Sequence, residues 1–187
     1  MDSIFKSMQI IPPWDDDTLF EEFITEYFND LYSTKSYDRY GRTGQKQDGL
    51  DIYSIEKKTV IQCKLKRLRL NNDDIIRDKL ITELRSDFKS FTTYNSKNKF
   101  LYNKFIFTST FHSDTQITTE CLNLSDEKIT VEYWSWDKLL RDIPGKTRDR
   151  YYKDFISHFE KYFNQSDLGF TDSTGCQDFN IDHRFSR

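Results

Sequence analysis

The chain has 187 residues, 36% hydrophobic and 16% aromatic, which suits one domain of ordinary size with a real core. Its formal charge of -3 excludes a protein that grips a polyanion over its whole surface, so any such site is local. Cys63, Cys121 and Cys176 lie far apart with no CxxC pair, no apolar run approaches the ~18 residues of a membrane span, and MDSIFKSMQIIPPW lacks an export signal; a cytoplasmic protein without a disulfide framework or cysteine zinc site is expected.

After Pro12-Pro13, the run WDDDTLFEEFITEYFNDLY sets Phe20, Phe23, Ile24, Tyr27, Phe28 and Leu31 at helical spacing, with Asp15 to Asp17 as N-caps and dipole partners. A polar link, STKSYDRYGRTGQKQDG, leads to a β-hairpin of roughly 51–56 and 59–67. NNDDIIRDKLITELRSDFKSF predicts a second helix, apolar at Ile75, Ile76, Leu80, Ile81, Leu84 and Phe88. KFIFTST, Lys104 to Thr110, reads as a strand buried on both faces of a mixed sheet. DTQITTECLNL fits a third helix, ITVEYWSWDKLL a strand that turns helical, and RDRYYKDFISHFEKYF a last amphipathic helix. Alternating strands and helices point to an α/β layer fold over residues 1–163. Residues 164–187 are polar and aperiodic, and read equally as a disordered tail, a linker or a docking peptide.

The hairpin carries polar residues where apolar ones would pack better. With a two-residue loop at Lys57-Lys58, Ile55 pairs with Val60, Tyr53 with Gln62 and Asp51 with Lys64, all on one face. Register is the sensitive point, because one extra loop residue would flip the parity of one strand. A carboxylate beside a carbonyl oxygen suits Mg²⁺, a hard cation that takes oxygen ligands, and Asp51 and the Gln62 side chain supply that pair. Lys64, two residues further along the same face, can polarise water and offset charge developing on a phosphate. One more acid is desirable; Glu21 lies at the border of the first helix's apolar stripe, whereas Glu22 and Glu26 point away.

Lys66, Arg67 and Arg69, followed by Arg77 and Lys79, form a basic stretch that reads either as a solvated face or as contacts to backbone phosphates. Tyr37, Tyr40 and Arg42 fit either loop packing or a clamp on nucleic acid, Trp134 and Trp136 fit core positions, and the histidines receive no chemistry. The plain alternative for the hairpin is a strand-start aspartate with an exposed cross-strand lysine, worth about 0.5 kcal/mol or less.

These residues resemble the PD-(D/E)xK nuclease superfamily, in the restriction-endonuclease-like branch that includes Mrr-type enzymes, where the last acid is often glutamine. The core here reads Asp51, then Gln62-Cys63-Lys64, with Glu21 in FEEF matching the first-helix glutamate. YGRTGQKQDGLDIY is similar to the glycine-rich lead-in of nuclease domains in bacterial anti-phage proteins, often joined to a nucleotide-binding or sensor module. FIFTST and EYWSWDKL look like the distal part of such a domain, so the resemblance covers roughly residues 14–163.

The resemblance implies a restriction-endonuclease-like central mixed sheet flanked by helices, and Mg²⁺- or Mn²⁺-dependent cleavage of phosphodiester bonds in double-stranded DNA. It makes Asp51 and Gln62 metal ligands, Glu21 a metal ligand or water-positioning acid, and Lys64 the electrostatic catalyst. The Cys63 main-chain carbonyl would complete the coordination, Gln47 would touch metal or substrate, and Arg42, Lys66, Arg67 and Arg69 would meet phosphates. Glutamine in place of the commoner acid removes one negative charge and weakens metal affinity without abolishing it. With net negative charge and no evident base-reading element, the domain is expected to act as a homo-oligomer or with a sensor partner, away from membranes. The rival readings are a non-catalytic nucleic-acid or protein interaction domain on the same fold, and an RNA-cleaving enzyme with the same core.

Overall fold

The structure is a computed structural model that describes residues 16–41, 49–66, 73–99 and 101–162. Asp16 opens the first helix, α1 (Asp17–Leu31), by accepting the Leu19 N–H at 2.9 Å. The stripe expected from spacing is the buried one: Phe20, Phe23, Ile24, Tyr27 and Phe28 are all fully enclosed.

Among the described residues five strands follow the order β1 (Asp38–Arg39), β2 (Ile52–Ser54), β3 (Thr59–Lys64), β4 (Lys104–Ser109) and β5 (Thr130–Trp134) across one sheet. β1 to β3 pair antiparallel, and β3 to β5 pair parallel. The parallel joins need crossovers, supplied by α2 (Asp73–Lys97) and α3 (Thr115–Leu124). Ser135 caps a short α4 (Trp136–Arg141) through the Lys138 N–H, and α5 runs over Gly145–Tyr162. The protein is thus an α/β fold with a mixed sheet between helical layers.

Period-two alternation sorts the sheet residues into two cores. Ile52, Ile61, Ile106 and Trp134 pack with α1, α4 and Tyr151 on one side. Val60, Phe105, Phe107, Val131 and Tyr133 pack with α2 and α3 on the other. Trp134 and Trp136 are core residues, stacked among Phe20, Phe23, Tyr27 and Phe28. Tyr37 is buried against Phe28, and Tyr40 meets Tyr53 and Tyr94 edge-on, so these two link aromatics pack. In α2, Leu80, Leu84 and Phe91 are buried, but Ile75 in the first turn is 68% exposed and lies outside the core expected for it.

The hairpin differs from its expected register. The observed pairs are Ile52 with Ile61, Tyr53 with Val60 and Ser54 with Thr59, so neither Ile55–Val60, Tyr53–Gln62 nor Asp51–Lys64 are partners. The connection holds four residues, Ile55 to Lys58, because the Ser54 hydroxyl accepts the Lys57 N–H at 3.1 Å and Lys58 adopts a positive φ of 48°. The loop is longer by two residues, and an even change preserves parity. Asp51, Gln62 and Lys64 therefore keep the shared face expected for them.

The chain divides into two units, Met1–Tyr152 and Lys153–Arg187, with the division inside α5 and ahead of the expected tail. The sheet and both cores belong to the first unit. Among the described residues no helix is long and apolar enough to cross a membrane.

Candidate active site

Main-chain pairing of β2 with β3 ends near Ile52, and the next residue, Asp51, turns its carboxylate onto the partner strand. Its Oδ2 accepts the Cys63 backbone N–H at 2.7 Å and the Gln62 side-chain N–H at 2.6 Å. Its own N–H donates to the Ile61 carbonyl at 3.1 Å. Both side chains are buried, Asp51 at 4% and Gln62 at 6% exposure. Giving its amide N–H to Asp51 leaves the Gln62 Oε1 enclosed with no hydrogen-bond partner among the described residues. A buried carbonyl oxygen without a donor is a costly arrangement, and a cation relieves it.

The charge state of Asp51 is as unusual as its contacts. Burial pushes its pKa up to about 7; the Glu21 and Asp87 charges add to the rise, while the Cys63 N–H and Lys64 oppose it. The two donors shown for it are neutral groups, and among the described residues no cation is in direct contact with it.

Around this pair stand two acids, each held by a cation. Glu21 Oε2 lies 3.3 Å from Arg39 on β1, which also binds Glu22 at 2.9 Å. Burial raises the Glu21 pKa against the pull of Arg39. Of the first-helix glutamates Glu21 is the most enclosed; the Glu22 side chain is half exposed and Glu26 pairs with Arg150. Lys64 Nζ lies 2.8 Å from Asp87 Oδ2 of α2. Burial works against the Lys64 charge, but Asp87, Asp51 and Glu83 outweigh it and the net shift is upward.

Lys66 does not present a free ammonium: Glu83 holds its Nζ at 2.7 Å and only 12% of the side chain is exposed, so a phosphate reaches it only by opening that pair. Cys63 contributes its main chain, since burial pushes its thiol pKa well up and the sulfur stays neutral. Arg42, Gln47, Arg67 and Arg69 lie outside the described residues. His112 stacks on Phe111 with 3.9 Å between ring centroids and has Asp73 at 3.8 Å, away from the acids of the site.

Sequence reasoning missed Asp87 and Arg39. Asp87 had a legible signal: it continues the α2 row of Leu80, Leu84 and Phe91 at steps of three and four, where an acid has no reason to be unless something meets it. Arg39 had none, because its meeting with Glu21 depends on how the two-residue β1 is laid on the sheet edge.

Among the described residues no three His, Cys, Asp or Glu side chains gather closely enough to hold a metal ion by themselves. The donor set at hand is of another kind: one buried carboxylate and one orphaned amide oxygen, both hard oxygen donors that suit Mg²⁺ or Mn²⁺. No family model matches the chain, and no curated protein or solved structure is significantly similar to it.

Proposed function

We propose that this chain is a Mg²⁺-dependent endonuclease that hydrolyses phosphodiester bonds of double-stranded DNA, with Mn²⁺ as an alternative ion. The observation that carries the reading is the Asp51–Gln62 pair: a buried acid and an unsatisfied amide oxygen on one face, with Lys64 on the same face. Asp51 and Gln62 would hold the divalent ion, with Glu21 as the further acid that binds ion or water. When bound, the ion supplies a Lewis acid for the phosphate and for the attacking water.

The protein's own groups do the rest. Gln62 fixes the Asp51 carboxylate through its N–H, which leaves Oε1 as the neutral donor. The Lys64 ammonium, kept protonated by its acidic surroundings, offsets the extra negative charge that phosphate oxygens gain during an in-line displacement. Asp51 must be ionised to take a cation, so proton and ion compete for it: its ion-free pKa is raised to about 7, and activity should rise with pH over a range that moves lower as Mg²⁺ is increased. What supports a role as a cytoplasmic effector of bacterial anti-phage defence, activated by oligomerisation or a sensor module, is the likeness of the YGRTGQKQDGLDIY lead-in alone.

A second reading, a non-catalytic nucleic-acid or protein interaction domain, is favoured by one observation: Lys64 and Lys66 are both paired with acids. Plasmid cleavage by the wild type and by Asp51→Asn and Lys64→Ala, with Mg²⁺, Mn²⁺ or EDTA, separates the two. Metal-dependent cleavage that drops at least about 100-fold in both variants supports the nuclease. Absence of both cleavage and calorimetric Mg²⁺ binding in the wild type would sink it, and cleavage of RNA but not DNA would redirect it to the RNA-cutting alternative.

A further inference from the structure

We propose that Asp87 is the positioning residue of this site: it holds the Lys64 ammonium away from Asp51, so that Asp51 stays open to a divalent ion while the lysine waits for the phosphate. The inference rests on the nuclease reading above and gives that site a residue which the hairpin motif does not contain.

Lysine carries its charge on a flexible four-carbon stem, so its neighbours decide where the ammonium sits. Lys64 has three carboxylates within electrostatic reach, Asp87, Asp51 and Glu83, the last of which holds Lys66. The one it contacts is Asp87, at 2.8 Å, with each side chain 21% exposed. Were Asp87 neutral, Asp51 would be the strongest attraction left to the ammonium, and a lysine on Asp51 would occupy the charge that a cation needs.

The backbone of Asp87 is seated as closely as its side chain. Gly49, two residues before Asp51, packs directly on α2: a Cβ placed there would lie 2.5 Å from the Asp87 carbonyl oxygen and 3.2 Å from the Phe91 nitrogen. Its φ of +81° is also one that L side chains rarely adopt. Asp87 is therefore tied by its main chain to the turn that delivers Asp51, and by its side chain to Lys64. One helical turn earlier, Glu83 holds Lys66 at 2.7 Å, so two successive lysine–acid contacts set the register of α2 against the end of β3. An acid in the Leu80–Leu84–Phe91 row costs core burial, and holding Lys64 is the gain that accounts for it.

A double-mutant cycle on the full chain tests whether Asp87 acts through Lys64. Asp87→Asn keeps the shape and removes the charge; Asp87→Glu restores it. Mg²⁺ affinity by calorimetry and plasmid cleavage are measured for Asp87→Asn, Lys64→Ala and the double variant. The expected result is Mg²⁺ binding weakened about tenfold and cleavage reduced at least about tenfold in Asp87→Asn, both largely recovered in Asp87→Glu, with no further loss of either when Asp87→Asn is added to Lys64→Ala. Equal losses in both backgrounds, or no loss in either, overturn the proposal. Coupled Mg²⁺ affinities in a protein that cuts no nucleic acid would keep the positioning role and remove the nuclease; cleavage with no coupling would do the reverse. A wild type that neither binds Mg²⁺ nor cuts removes both.

Discussion

Asp51 and Glu132 are both acids set into the sheet, and they are treated in opposite ways. Glu132, on β5, receives Lys104 Nζ at 2.8 Å and the Trp134 indole N–H at 2.9 Å, with the Lys138 charge near. Burial works against its charge, yet those partners prevail and its pKa is held below the ordinary carboxylate value. Among the described residues Asp51 receives only an amide and a backbone N–H, Lys64 is engaged by another acid, and the Asp51 pKa rises to about 7. A structural acid is given a cation of its own; Asp51 is left short of one. That shortage, in an otherwise well-packed sheet, is what makes Asp51 the candidate for a functional site.

The strongest way to break the contrast is to remove the charge of Asp51 and keep its shape. Its pKa is about 7 in the fold against 3.8 without it, so the folded state binds the proton more tightly. Between those values the group's contribution to stability falls as pH rises, and above about 7 the full penalty is present. Asp51→Asn is expected to raise stability at pH 8 by on the order of 2–4 kcal/mol and to change little at pH 4, as read by urea unfolding at both pH values. An equal effect at both would show that Asp51 is not held in this state.

Gln62→Glu sharpens the comparison by deepening the shortage. Two adjacent buried acids repel, so the variant should lose stability at pH 8 without divalent ions, and Mg²⁺ should bind about tenfold more tightly and restore it. Thermal melts with a Mg²⁺ titration read both effects, and unchanged affinity would exclude Gln62 as a ligand. Glu132→Gln gives the smallest change. Its lowered pKa supplies stability above the ordinary carboxylate value that fades as pH falls through the folded one, so the variant should lose at most about 1 kcal/mol at pH 7 and nothing near pH 3. Mg²⁺ affinity should stay at the wild-type value.

Much of this was legible in the sequence. The α1 stripe, the doubly buried β4 and the Asp16 cap follow from periodicity and local hydrogen bonding, which act over a few residues. The shared face of Asp51, Gln62 and Lys64 was legible for the same reason, since it depends on strand parity alone. The register was not: Lys57-Lys58 is a poor two-residue turn, and the four-residue closure depends on the Ser54 hydroxyl and on Lys58 accepting a left-handed φ. Nor was the exposure of Ile75, because spacing gives a helix its apolar side but not how far along its length the sheet reaches. Asp87 and Arg39 come from elements distant in the chain, and only tertiary placement brings them to Lys64 and Glu21.

The Asp51 carboxylate has a second life as a rung. Where main-chain pairing between β2 and β3 runs out, its Oδ2 takes the Cys63 N–H that a backbone carbonyl would otherwise have taken, and so lengthens the hairpin by one hydrogen bond. Alanine and asparagine at this position are therefore different experiments. Alanine removes a charge and unzips the end of a strand pair, while asparagine removes the charge and can still accept the rung; the gap between the two variants measures architecture, and what they share measures chemistry.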